Sequence, residues 1–257
     1  MFEATLVQGV VLKKIVEAIK DLVQDVNVDC NDAGMAMQAM DNSHVALVAL
    51  LLRADAFDPY RCDHALTLGL NMVNFAKILR CAGNDDHITL RAEDRADTLA
   101  LSFDSDQHER HSEYTLKLME INAEHLEVPE SEYDATVHMS SAEFQRICRD
   151  LLTLSEEVTI EAVKGTVTFT ANGDIGSGHV VLKQNTAVDR EEDATIVDLQ
   201  GAVRLTFSLK YLAHFTKTTS LAARVSLSLH AELPLMVEYK MEDYGYIRYY
   251  LAPKLDT

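Results

Sequence analysis

Four short stretches of the chain repeat apolar residues with a 3.6-residue period and predict four amphipathic helices. The first runs from Val11 to Val23, with Leu12, Ile15, Val16, Ile19 and Leu22 on one stripe. The second is Asn71 to Cys81, led by Phe75, Ile78 and Leu79. Phe144, Ile147, Cys148, Leu151 and Leu152 repeat the pattern between Ser141 and Leu152, and Leu212 and Phe215 carry a shorter one from Leu209 to Thr216. Ser140 or Ser141, followed by Glu143, offers the third helix an N-terminal cap.

Elsewhere the pattern changes to period 2. Thr98 to Phe103 and Thr166 to Thr170 alternate apolar and polar residues, as a strand with one buried face does. Strands also read at Val45 to Leu52, His87 to Ala92, Ser112 to Met119, Val158 to Ala162, His179 to Lys183, Arg204 to Ser208, Arg224 to Leu229, Leu235 to Lys240 and Tyr246 to Leu251. Asn84-Asp85-Asp86, Asn172-Gly173-Asp174 and Asp243-Tyr244-Gly245 are turn signals between them.

Each helix is followed by more strands than single crossovers of a parallel sheet could use, so the fold class is α+β, with antiparallel sheets covered by a few helices. The two halves echo one another, with helices near residues 15 and 75, then near 147 and 212. Glu120 to Tyr133, holding Pro129 and the charged residues Glu124, Glu127, Glu130 and Glu132, reads as an extended linker. The expected organisation is a domain over 1–118, a connector over 119–134 and a second domain over 135–257.

The 257 residues carry 23 Lys+Arg against 41 Asp+Glu, a formal charge of −18 that on average repels phosphate backbones. The longest apolar run, Val45 to Leu52, is far below the roughly 20 residues a bilayer requires, and no basic, then hydrophobic, signal segment opens the chain. A cytosolic or nuclear protein is expected. Cys30, Cys62, Cys81 and Cys148 are scattered without a Cys-x-x-Cys pair, so free and mostly buried thiols are expected rather than zinc or disulfides.

Charge placement alters this picture. The polar faces of the four helices hold Lys13, Lys14 and Lys20; Lys77 and Arg80; Arg146 and Arg149; and Lys210 and Lys217. Any one of these is compatible with an ordinary solvated face. Recurrence on four helices of an acidic chain points instead to a positive track, able to contact phosphates without reading bases. Glu17, Asp21, Glu143 and Asp150 intrude on it.

Catalytic signatures are absent: no Gly-x-Gly-x-x-Gly, Walker-type loop, His-Glu-x-x-His or Gly-x-Ser-x-Gly occurs. Gly173 to Gly178 reads as a hairpin turn rather than a phosphate cradle. His108 and His111, beside Asp104, Asp106 and Glu109, form an HxxH cluster that lacks further ligands, so no metal, cofactor or catalytic residue is expected. An enzyme with an unrecognised carboxylate site and a purely protein-binding scaffold are the competing readings.

Met1-Phe-Glu-Ala4, Leu6-Val-Gln-Gly9, Leu12-Lys-Lys14, Ser43-His-Val45, Tyr60-Arg-Cys-Asp63, Cys81-Ala-Gly-Asn84, Ile88 to Asp94, Ala96 to Leu101, Arg146 to Leu151, Val237 to Lys240 and Tyr249 to Lys254 resemble, in order, the eukaryotic proliferating cell nuclear antigen family of DNA sliding clamps. The likeness spans essentially the whole chain. It implies a nuclear, non-enzymatic homotrimeric ring around duplex DNA, gripped without sequence specificity, with sheets outside and the four helices lining the channel. The resemblance puts the nine basic residues above on that lining, with Arg110 nearby. A heterotrimeric checkpoint-type clamp would be separated from this by its failure to self-associate.

The resemblance also implies a subunit joint between about Arg110–Lys117 and Ile175–Lys183, with Tyr114, Leu116, Val180 and Leu182 packing across it. It implies a front-face site for partner peptides at Met40, His44, Val45, Leu47, Leu126, Val128, Pro129, Tyr133, Pro234, Tyr250, Leu251, Ala252 and Pro253. There His44 and the Ala252 backbone would recognise the peptide glutamine. Implied partners are replicative and translesion polymerases, flap endonuclease, DNA ligase and the clamp loader. Lys164 matches the lysine that family members present for ubiquitin, whereas Glu127 replaces a second modifiable lysine of several relatives.

Overall fold

A computed structural model describes residues 1–94, 97–105, 109–122, 132–186 and 190–254. The chain divides into two units: Met1–Asn42, Val48–Leu126 and Met241–Ile247 form one, and Ser43–Leu47, Glu127–Lys240 and Arg248–Thr257 the other.

The first unit contains β1 (Phe2–Leu6), α1 (Gly9–Ile19), β2 (Asp25–Asn31), β3 (Gly34–Met40), β4 (Ala46–Arg53, from Val48 onward), β5 (Tyr60–Cys62), β6 (Leu66–Asn71), α2 (Met72–Leu79), β7 (His87–Ala92), β8 (Thr98–Asp104) and β9 (His111–Lys117). Strands β5-β1-β7-β8-β9 make one sheet, and β4-β3-β2-β6 run in order in another. Alternation decides which face is inward: in β1 Phe2, Ala4 and Leu6 are buried while Glu3 and Thr5 stand half out. Leu12, Ile15, Val16 and Ile19 of α1 meet Val28, Met35 and Leu50 of one set of strands and Leu90 and Leu99 of the other in a single core.

The second unit repeats the order. It contains β10 (Ala135–Ser140), α3 (Ser141–Leu152), β11 (Glu157–Val163), β12 (Thr166–Gly173), β13 (Gly176–Lys183), β14 (Ile196–Leu199), β15 (Val203–Ser208), α4 (Leu209–Phe215), β16 (Arg224–Leu229), β17 (Leu235–Met241) and β18 (Gly245–Leu251, from Arg248 onward). Its strand orders, β14-β10-β16-β17-β18 and β13-β12-β11-β15, match those of the first unit strand for strand. Thus β4 corresponds to β13, β9 to β18, α1 to α3 and α2 to α4. In this core Phe215 stacks on Tyr249 at 4.4 Å between ring centroids, and the Thr218 and Tyr249 hydroxyls hydrogen-bond at 2.6 Å.

All four predicted helices form, α3 with its predicted ends and the other three with adjusted ones. α1 stops at Ile19, and the amides of Leu22 and Val23 then turn back to the Ile19 carbonyl, so Val23 still reaches the core and prolongs the apolar period past the helix. α4 passes into a 3-10 turn over Thr216–Leu221. The expected side-chain cap of α3 is not made: Ser140 takes the N-cap position without a side-chain bond, and the Ser141 hydroxyl is buried without a partner. The 11 predicted strands are present, and Gly173 to Gly178 is a hairpin end, with Gly173 opposite Gly176. Strands β1, β2, β3, β5, β6, β10 and β14 were not expected. The four cysteines are free, as predicted, but only Cys30 and Cys148 are buried; Cys81 is exposed. Burial pushes the Cys30 thiol up to about 12.

Candidate nucleic-acid interface

The helices turn their apolar stripes inward, which fixes where their cations stand. Lys14, Lys77, Arg80, Arg146, Arg149, Lys210 and Lys217 are exposed, and Lys13 and Lys20 are half-buried. Local carboxylates and carbonyls already engage several of them. Glu17 accepts from Lys20 at 3.3 Å and from Arg80 at 2.9 Å, and Asp150 takes Arg149 at 3.2 Å and Arg146 at 3.6 Å. Lys13 donates to the Ala82 carbonyl at 2.6 Å. Among the described residues, Lys14, Lys77 and Lys210 have no ion pair, so their charge faces solvent undiminished. Arg110 donates to the Cys81 carbonyl at 3.2 Å and to Ser112 at 3.3 Å, which ties it to the end of α2. Paired surface charges of this kind contribute little to stability, and they remain available to a denser anion.

The predicted partner residues fall into groups. In the second unit, His44 is exposed at a positive φ of 56°, Val45 is half-buried, and Ala252 donates its N–H to the Val45 carbonyl at 3.1 Å. That amide is committed, so only the Ala252 carbonyl is left for an incoming amide group. Tyr133 and Tyr250 lie close together, and burial, then Tyr250, pushes the Tyr133 phenol up. Pro234 is exposed and Pro253 half-buried. Leu47 and Leu251 are buried, at 7% and 0% exposure, and belong to the floor rather than the surface. Met40 is half-buried in the first unit. Leu126, Val128 and Pro129 lie outside the described residues.

The proposed joint segments prove to be sheet edges. β9 ends the five-stranded sheet of the first unit, and β13 ends the four-stranded sheet of the second. Two other edges are met by passing backbone: the Met119 amide donates to the Gly69 carbonyl of β6, where any side chain at 69 would collide with Met119, and the Lys254 amide donates to the Thr206 carbonyl of β15. The remaining edges, β5 and β14, are only three and four residues long. Leu116 is buried and Tyr114 packs on Phe103 at 5.2 Å, while Val180 and Leu182 are half-buried and Val181 is 45% exposed. The strands that match β13 and β9 in the repeat are β4 and β18, and each has a backbone bond within its own unit near one end. Arg53 donates to Tyr244 within the first unit, and Ala252 to Val45 within the second.

Lys164 is exposed at the turn between β11 and β12, beside Gly165 at φ 68°. His108 lies outside the described residues. His111 Nδ1 is 2.6 Å from Asp104 and Nε2 3.2 Å from Glu113. Among the described residues no three His, Cys, Asp or Glu side chains are grouped to hold a metal, and no helix is long and apolar enough to cross a membrane. A cavity of about 480 Å³ between His64–Leu68, Ala92–Asp94 and Leu118 contains none of the predicted residues.

The comparisons with known proteins cover the same ground. Residues 1–126 match the family model described as "Proliferating cell nuclear antigen, N-terminal domain", and residues 127–254 match that of the C-terminal domain. The proliferating cell nuclear antigen of Chaetomium thermophilum is 53% identical over 255 residues, which cover 99% of this chain and 98% of that protein.

Proposed function

The chain belongs to the proliferating cell nuclear antigen family, and from that premise we propose how its surfaces divide the work of a DNA sliding clamp. It is a two-domain, non-enzymatic clamp and a DNA polymerase processivity factor, a homotrimer that binds DNA and polymerases. The residue assignments that follow are our reading. Lys13, Lys14, Lys20, Lys77, Arg80, Arg110, Arg146, Arg149, Lys210 and Lys217 contact DNA phosphates. The observation that carries this is the outward cation on all four helices of a chain with net charge −18. Contacts to phosphate alone are loose and sequence-tolerant, which suits sliding.

The open edges support the joint. Laying β9 of one chain on β13 of the next would bury both exposed edges. Tyr114, Leu116, Val180 and Leu182 line that joint in this reading.

The connector is assigned to 119–134, between domains over 1–118 and 135–257. Peptides of replicative and translesion polymerases, flap endonuclease, ligase and the clamp loader dock on Met40, His44, Val45, Leu47, Leu126, Val128, Pro129, Tyr133, Pro234 and Tyr250–Pro253. Such tethering raises the local concentration of a partner at the primer end. Lys164 accepts ubiquitin, its exposure at a hairpin turn favouring access, and the protein works in the nucleus.

Retention on DNA circles tests the reading. The assembled protein, loaded on a nicked circle by a clamp loader, should stay through a salt wash and be lost once the circle is cut. Equal loss from circular and linear DNA would overturn the encircling geometry.

A further inference from the structure

Because the two units repeat element for element, their helices can be compared position by position. The N-caps are Gln8, Asn71, Ser140 and Ser208. Six residues beyond them stand Lys14, Lys77, Arg146 and His214. Nine residues beyond stand Glu17, Arg80, Arg149 and Lys217. The sixth position is thus a fixed cation on three helices and a histidine on the fourth.

The geometry of α4 agrees. Its buried residues are Leu209, Leu212 and Phe215. At about 100° per residue, His214 lies roughly 40° around the helix from Lys210 and on the side opposite that buried stripe. Lys210 and His214, four apart, lie on one side of α4, and Lys217 follows in the 3-10 turn that continues it. His214 also occupies the last turn of α4, where outward carbonyls favour positive charge.

We propose that His214 is the fourth member of this phosphate-facing set, a titratable contact that makes the clamp's hold on DNA tighten as pH falls through neutrality. The proposal rests on the reading that the helices face DNA. Histidine as a side chain changes charge near pH 6.5, whereas Lys and Arg do not. Below that range α4 presents the same cation as α2; above it the position is neutral. The charged and titratable groups on the packed elements are Lys210 and Tyr211 on the helix itself, Lys217 on the 3-10 turn after it, Glu143, Arg146, Cys148, Arg149 and Asp150 on α3, Glu157 and Glu161 on β11, and Arg204 on β15. Asp150 is engaged by the two arginines and Glu157 by Lys254.

The test is equilibrium binding of a fluorescent duplex to the assembled full chain, at low salt and at about pH 6 and about pH 8, a span that brackets histidine titration. Light-scattering mass and circular dichroism check that each variant is assembled and folded. Wild type should bind about threefold or more tighter at the lower pH, with a log–log salt slope steeper by about one unit. His214→Lys should hold the tight value at both pH values, and His214→Asn the weak one. If His214→Asn keeps the wild-type pH response while Lys77→Ala and Lys210→Ala weaken binding, this inference falls and the DNA-facing reading stands. If neither lysine substitution weakens binding at either pH, that reading falls with it.

Discussion

Arg80 at the end of α2 and Glu17 on α1 form a fork on one oxygen: the arginine Nε and Nη2 both lie 2.9 Å from Glu17 Oε1. Lys20 meets the other carboxylate oxygen at 3.3 Å. One glutamate therefore restrains two cations proposed to face DNA, and it stands nine residues past its N-cap, where the other three repeats place Arg80, Arg149 and Lys217. Glu17→Gln should tighten duplex binding severalfold and steepen its salt dependence. An unchanged slope in a salt titration would show that the pair lies off the DNA path.

Val181 is exposed on the open edge β13, where a lysine is the usual natural guard against strand pairing. Val181→Lys should convert a particle of three 28.7 kDa chains into single chains by light scattering. The fold itself should lose no more than about 1 kcal/mol, as for other surface changes. A trimer of normal mass that resists dilution would argue against β13 as the joint.

Glu238 is a carboxylate with 7% side-chain exposure, held by Arg248 Nε at 2.6 Å and Lys240 Nζ at 3.5 Å. Arg248→Ala leaves that buried charge with its weaker partner. Denaturant unfolding should show a loss of about 2–4 kcal/mol, and Glu238→Gln in the same background should recover part of it. A loss no larger than that of a typical exposed pair would mean that water reaches Glu238 readily.

His111 opens β9 between Asp104, its register partner on β8, and Glu113. Hydrogen bonds to Asp104 and then to Glu113 raise its pKa above the ordinary 6.5. A raised folded value means that the pairing stabilises fully below the unfolded pKa and is lost as pH rises through the folded one. Wild type should therefore lose melting temperature between about pH 6 and about pH 8, relative to His111→Gln. A parallel shift in both proteins would exclude His111 as the source.

Much of this was legible in the chain. The helices announced themselves because each buries one stripe, and α3 was read to its ends from that stripe and the serines before it, although no side-chain cap forms there. The unread strands show what hid them. In β2, Val26, Val28 and Cys30 alternate with Asp25, Asn27 and Asp29, residues poor in strand propensity. Structure answers each polar one: Asn71 donates to Asp25, Asn27 donates to the Ile121 carbonyl, and Thr67 donates to Asp29. Those partners are distant in sequence, so no local window could display them. The cations were visible but their restraint was not, since Glu17 and Arg80 are 63 positions apart. His214 was missed because a lone histidine gives no signal until the N-caps fix its place in the repeat.

Among the described residues, the capped edges at β6 and β15 leave two long free edges, β9 and β13, in different units and unlike in sequence. In the language of polymer chemistry such a chain is a bifunctional monomer with one head and one tail. If those edges are the joint, monomers of this kind can make linear chains or closed cycles, but never branches. Once a cycle closes it has no free end, and added protein raises the number of cycles rather than their size. A second kind of subunit could enter only by supplying a matching head and a matching tail together, so a single edge substitution acts as a chain terminator, and even a small fraction of terminated chains would show itself as open, unfinished assemblies.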